Sequence, residues 1–298
     1  MNKLIEFCND NSISFKKNVL LKNHTTFKVG GPCKIMFFPD STEKLLKIGK
    51  YVIENGYDYF VIGNGSNLLI SDKGINKVVI NTSEINEISL SDDNTVIASA
   101  GVSLIKLCKC AYDNSLSGME FAYGIPGTVG GAVFMNAGAY GGEIKDVITE
   151  VTHLNDKGEI ETLSSDKLDL SYRHSYYSDK NYIILKIKFT LLPGNKTDIK
   201  QKMDELMSRR KSKQPLEYPS AGSTFKRPEG YYAGALIEEC GLKGYSSNGA
   251  CVSEKHAGFV INKNNATAED ILNVINHCRK TVFDKKGIML EPEVKILN

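Results

Sequence analysis

Short apolar runs punctuate the first two thirds of the chain: IMFF at 35–38, YFVI at 59–62, VVI at 78–80 and VIASA at 96–100. Each is too short for a helix and is bounded by turn residues, so each predicts a strand. Two amphipathic stretches among them predict helices. One starts after Ser41 and runs to about Asn55, with Leu45, Leu46, Ile48, Val52 and Ile53 apolar. The other starts at Ser103 and places Leu104, Leu107, Cys108 and Ala111 at i, i+3, i+4 and i+7. Residues 182–192 alternate as a strand does and break at Leu192-Pro193-Gly194-Asn195, where a domain boundary is expected. Beyond it the pattern predicts a polar helix over 197–211, a loop through Pro228, and a helix over 231–240 ended by Gly241. A further helix opens at Thr267, with Asp270 completing a capping box and Ile271, Ile275, Cys278 and Val282 on one face. The last strand is expected over 293–297, and the whole reads as an α+β chain.

Composition narrows the class. Across 298 residues, 41% apolar and 24% charged side chains exclude intrinsic disorder. The 37 Lys and Arg against 35 Asp and Glu leave +2, too little for a surface that must hold a polyanion, so no nucleic-acid partner is expected. The positive charge is local: residues 196–227 carry nine Lys or Arg against four Asp or Glu, or +5. Seven cysteines without a C-x-x-C pair argue against a disulfide framework or a zinc ribbon, and no metal cluster is expected. The thiols read as reduced and the chain as cytoplasmic. Glu6 and Asp10 stand where a signal peptide needs an apolar run, and no stretch approaches the ~20 apolar residues of a membrane span.

Two segments are dense in glycine. Gly63-Asn64-Gly65-Ser66-Asn67 follows the YFVI strand, and residues 124–142 hold seven glycines in nineteen. Such loops serve equally as tight turns or as cradles whose main-chain N–H groups face a phosphate. Neither matches G-x-G-x-x-G, and G-x-x-x-x-G-K-[ST] is absent from the chain.

Six motifs then follow in order: NHTTFKVGGP at 23–32, GNGSNLL from 63, GIPGTVGGAVFMNAGAYGG at 124–142, SYRHS at 171–175, AGSTFK at 221–226 and LEPEV at 290–294. Together they resemble the UDP-N-acetylenolpyruvoylglucosamine reductases over residues ~20–298. Only 49 residues separate Arg173 from Ser223, which resembles the shorter subtype without a tyrosine-loop insertion. The resemblance implies a two-part FAD-binding domain of the vanillyl-alcohol-oxidase type over 1–194, in parts of about 18–75 and 76–194. It implies an α+β substrate-binding domain over 195–298. It also implies reduction of a UDP-sugar enolpyruvyl ether by NADPH through FAD, by a monomer with no membrane insertion. Neither glycine loop contains His or Cys, so the FAD is expected to be held non-covalently.

On this resemblance the cofactor residues are Gly63, Asn64, Gly65, Ser66 and Asn67 from the first loop. From the second come Gly124, Ile125, Pro126, Gly127, Val129, Gly130, Gly131, Asn136 and Gly138. Arg173 is expected to pair with the substrate carboxylate, Ser223 to protonate the α-carbon, and Glu293 to support the enol or the Ser223 hydrogen bonds. The motif register selects Glu293 over Glu291. Tyr172, Lys213, Gln214, Lys226, Arg227 and His256 are the expected substrate-binding residues, Lys and Arg suiting a diphosphate. His256 reads equally as a structural residue. Arg209, Arg210 and Lys211 read as a solvated helix end.

Overall fold

A computed structural model describes residues 1–91 and 93–298. The chain forms two compact units: Met1–Lys17, Lys34–Asn64 and Lys77–Ser208 in the first, and Asn18–Cys33, Gly65–Asn76 and Arg209–Asn298 in the second. The division at 208/209, and the assignment of two early segments to the second unit, differ from the boundary expected at 194/195. The physical reason lies in the core of the second unit, where Phe27, Val29 and Leu69 are buried with Ile237, Ile271 and Leu290. Leu68–Ile70 also pairs in parallel with Lys295–Leu297, a partnership across more than two hundred residues of sequence.

In the first unit α1 (Asn2–Asp10) buries Leu4 and Cys8. Helix α2 (Thr42–Glu54) starts at Ser41, whose hydroxyl accepts from the Lys44 N–H. Both bury apolar faces in a core with Ile35, Phe37, Tyr59 and Ile80. The adjoining strands run in the order Ser14–Leu20, Pro32–Phe38, Ile75–Asn81, Tyr59–Ile62, the last two parallel. A second, antiparallel sheet runs Ile160–Ser164, Ile148–Leu154, Ile183–Thr190, Thr95–Ser99, Ile88–Ser91. Its core takes in α3 (Leu104–Asp113, capped by Ser103), α4 (Val129–Phe134, capped by Thr128), and Ile199 and Met203 of the otherwise polar α5 (Lys196–Lys213).

In the second unit α6 (Ala233–Glu239) and α7 (Ala268–Lys286) pack on a three-stranded antiparallel sheet of Ser246–Ser247, Ala250–Val252 and Val260–Asn262. Helix α7 carries the expected capping box: the Asp270 N–H donates to Thr267 Oγ1 at 3.1 Å and the Thr267 N–H to Asp270 Oδ2 at 2.9 Å. Ile271, Ile275, Cys278 and Val282 are all buried along its inner face. The closing strand begins at Lys295, two residues later than expected, because 291–293 pair instead with the AGSTFK segment through the Lys226 N–H to Glu291 O and the Glu293 N–H to Thr224 O. All seven cysteines are free thiols.

Candidate active site

The strand Tyr59–Ile62 ends at the first glycine loop, and Gly63 lies directly against Thr128 of the second glycine loop, both within the first unit. A Cβ on Gly63 would overlap Thr128 Oγ1 and come within 2.9 Å of Thr128 Cγ2, so only glycine allows the two loops to meet. Among the described residues the main-chain N–H groups of Gly63 and Asn64 have no protein acceptor.

The segment 124–131 is more ordered than a bare loop. Thr128 caps α4 through the Gly131 N–H at 3.3 Å. The N–H groups of Val129 and Gly130 donate to Val102 O and Ala100 O, and both residues are buried. The N–H groups of Ile125 and Gly127 are likewise bonded locally, to Ala122 O and Ile125 O. The part facing outward is Gly124, Ile125, Pro126 and Gly131. Asn136, expected on the flavin, is fully buried at φ +40° and has partners within the chain: its Nδ2 donates to Glu143 Oε2 and to Ser171 O, each at 2.9 Å, and its Oδ1 accepts from the Lys145 N–H at 3.0 Å.

Asn136 thereby holds the base of the turn that presents Arg173. Ser171 and His174 exchange main-chain hydrogen bonds of 3.2 and 3.1 Å, leaving Tyr172 and Arg173 at the tip. Arg173 sits at φ +56°, a left-handed conformation that costs an arginine about 1 kcal/mol or more. Its guanidinium lies 4.9 Å from the Tyr172 ring centroid and 3.5 Å from Gly138 O. Sequence reasoning named both residues but expected Asn136 on the flavin, whereas its side-chain partners lie within the chain.

In the second unit Ser223 is exposed beside Gly222, whose φ of +74° turns the chain. The next residue, Thr224, is fully buried and triply anchored: its N–H donates to Gly258 O at 2.8 Å, its Oγ1 accepts from the Val260 N–H at 2.9 Å, and its carbonyl accepts from the Glu293 N–H at 2.8 Å. Phe225 forms an antiparallel bridge with Pro292, so the structure brings the segments of Ser223 and Glu293 together. Asn67 joins them, its Nδ2 donating to Glu293 O at 3.1 Å and its carbonyl accepting from the Lys295 N–H at 3.0 Å. Gly65 fits only as glycine, at φ +60° against the His24 carbonyl. Lys226 Nζ is 3.3 Å from Glu291 Oε2, and Arg227 lies over the Tyr232 ring at 4.6 Å. Lys213 ends α5, and the following Gln214 has its Oε1 buried without a hydrogen bond. His256 Nδ1 accepts from the Gly258 N–H at 3.1 Å, and burial holds the ring's pKa below its ordinary value.

The donor set fits a flavin dinucleotide. The N–H groups of Gly65 and Ser66 lack protein acceptors among the described residues, and the Thr26 hydroxyl beside Gly65 is buried without a partner. Consecutive free N–H groups on small residues are what an anionic diphosphate requires. Among the described residues no group of three or more His, Cys, Asp or Glu is placed to hold a metal ion, and no helix is long and apolar enough to cross a membrane.

Fold and donor loop together are those of an FAD-binding oxidoreductase. The FAD binding domain family matches residues 33–164, and a berberine bridge enzyme variant that is a reticuline dehydrogenase shares the fold over 65% of this chain and 44% of its own, at a TM-score of 0.50 and 13% identity. The C-terminal domain of UDP-N-acetylenolpyruvoylglucosamine reductase matches residues 214–297. A reductase of that name from Caldanaerobacter subterraneus subsp. tengcongensis is 49% identical over 94% of this chain and 92% of its own. One from Clostridium novyi is 49% identical over 100% and 96%. The crystal structure of the Thermus caldophilus enzyme superposes at a TM-score of 0.81 with 34% identity, over 96% of this chain and 99% of that one. The chain belongs to the UDP-N-acetylenolpyruvoylglucosamine reductase family.

Proposed function

We propose that this chain reduces UDP-N-acetylglucosamine enolpyruvate to UDP-N-acetylmuramate with NADPH, as a cytoplasmic monomer in peptidoglycan precursor synthesis. FAD, held by the residues named below, would supply the hydride-transfer chemistry between NADPH and the enolpyruvyl methylene carbon. The chain's own residues have three tasks: hold the diphosphates, neutralise charge that gathers on the substrate carboxylate, and deliver a proton to the adjacent carbon.

Gly63 to Ser66 hold the FAD diphosphate through N–H groups, with Gly124, Ile125, Pro126 and Gly131 lining the flavin. Asn67, Val129, Gly130 and Asn136 support that surface through their contacts within the chain. Arg173 pairs with the substrate carboxylate, since its planar fork matches two carboxylate oxygens where lysine offers a point charge. Ser223 supplies the proton, and Glu293 polarises its hydroxyl. Lys213, Gln214, Lys226 and Arg227 take the UDP diphosphate, with Tyr172 beside the enolpyruvyl group. The observation that supports the catalytic assignment is the Glu293 N–H to Thr224 O bond, which pairs the main chain of LEPEV with that of AGSTF across more than sixty residues of sequence.

The test is anaerobic and spectroscopic. NADPH should bleach the flavin absorbance, and the enolpyruvyl UDP-sugar should restore it stoichiometrically. Recovery with oxygen but not with the UDP-sugar would instead favour an oxidase on the same fold.

A further inference from the structure

His256 stands in a turn with a specific internal design. The His256 N–H donates to Ser253 Oγ at 3.3 Å, the Phe259 N–H returns to His256 O at 2.9 Å, and the Ser253 N–H donates to Phe259 O at 2.9 Å. The imidazole folds back over Gly258, where an added Cβ would stand 3.0 Å from Cε1 and 3.2 Å from Nδ1, so the ring and the glycine require each other. Nδ1 accepts the Gly258 N–H, and the opposite end of the same residue, Gly258 O, accepts the Thr224 N–H. Thr224 is the residue whose carbonyl holds the Glu293 N–H.

We propose that His256 is a positioning residue for the Ser223–Glu293 pair, acting through Gly258 and Thr224 rather than by touching substrate. This deepens the function proposed above and rests on the role given there to Ser223. Neutral imidazole serves because Nδ1 must be an acceptor, which fixes the proton on Nε2. Protonation turns Nδ1 into a donor aimed at the Gly258 N–H, expels one of them, and loosens the turn that holds Thr224. The charged groups around the ring are Lys213 at the end of α5, Glu238 on α6 and Lys243 just beyond it, with Glu254 and Lys255 on its own turn. Burial and the two lysines 213 and 243 oppose protonation, while a hydrogen bond to the main chain of His256 and the Glu238 carboxylate favour it, with burial the largest influence. The ring is therefore neutral at pH 7 and the device is set in its working state.

The experiment compares wild type, His256→Ala and His256→Asn, each loaded with FAD, in anaerobic single-turnover reoxidation by the enolpyruvyl UDP-sugar across pH 5 to 8. Asparagine places Oδ1 where Nδ1 stands and cannot be protonated there. At pH 7.5 the alanine variant should reoxidise about tenfold more slowly, the scale of one lost hydrogen bond, and asparagine should recover most of that loss. The acid limb of the wild-type profile should be absent in His256→Asn, while reduction by NADPH should be alike in all three. The same titration followed by NMR in the wild-type holoenzyme should move the Gly258 and Thr224 amide signals with the imidazole. Equal rates in all three proteins, or an acid limb that survives in His256→Asn, would overturn the inference. So would Gly258 and Thr224 signals that ignore the imidazole titration, a result that decides the matter even if the UDP-sugar proves not to be the substrate.

Discussion

Replacing Asn136 tests how the Arg173 turn is held. The side chain makes three hydrogen bonds inside a site without solvent exposure, to Glu143, Ser171 and Lys145. Truncation to alanine leaves Ser171 O with only the His174 N–H and orphans the Lys145 N–H, whereas Glu143 keeps the Lys145 ammonium at 3.0 Å. At about 1–3 kcal/mol for a buried group left unsatisfied, the orphaned Lys145 N–H implies a loss on that scale, reduced where water enters. The φ of +40° adds a few tenths to about 1 kcal/mol, because alanine tolerates the left-handed region less well than asparagine. The functional consequence is separate from stability. With its base released, the turn lets the guanidinium drift, and a displacement of about 1 Å costs on the order of a hundredfold in rate. The assay pairs calorimetric unfolding with the two anaerobic half-reactions at a temperature where the variant is folded. Asn136→Ala should bind FAD and accept hydride from NADPH at near wild-type rates, yet reoxidise with the UDP-sugar ten- to a hundredfold more slowly. In combination with Arg173→Ala it should add little further, as expected of residues acting in series. Loss of FAD, or equal slowing of both half-reactions, would refute the brace and return Asn136 to the flavin.

Gly63→Ala sets a methyl group against Thr128, whose hydroxyl cannot swing away without uncapping α4; FAD affinity, read by flavin fluorescence on the apoprotein, should fall at least about tenfold for a loss of 1.4 kcal/mol or more, and an unchanged affinity would contradict the cradle. His153 is fully buried against Tyr177 and Tyr182, and burial lowers its pKa despite Glu161 Oε2 at 3.4 Å. A histidine whose folded pKa is depressed is neutral in both states above its unfolded value of about 6.5, and below that the unfolded chain takes up a proton the folded one refuses. Stability should therefore decline as pH falls from about 6.5 through the lowered value, and His153→Phe should flatten that part of a calorimetric pH series; an identical slope in the variant would contradict the assignment.

What the sequence revealed was local. Ser41, Ser103 and Thr267 cap the helices expected of them because a hydroxyl before an apolar-periodic run has one favourable use. The run 129–134 hid a short helix inside a glycine-rich stretch, where two glycines lower helix propensity and only packing on Ala100 and Val102 compensates. Pairings distant in sequence were not legible: nothing in LEPEV announces that Pro292 bridges to Phe225, or that Asn67 holds the Glu293 carbonyl. For the same reason the segments 18–33 and 65–76 could not be assigned to the second unit from pattern alone. Of the candidate residues, Ser223 and Glu293 stand out by their motifs, the pairing of their segments is visible only in the fold, and the bonds of Asn136 to the Arg173 turn left no signal beyond an asparagine among glycines.

The proposed proton source is the exposed residue Ser223. Rapid-mixing absorbance under anaerobic conditions isolates that step: Ser223→Ala, reduced by NADPH, should lose its yellow colour at the wild-type rate and regain it with the UDP-sugar about 10²- to 10⁴-fold more slowly, the usual worth of a positioned general acid. Return of the colour at the wild-type rate in that variant would contradict the account.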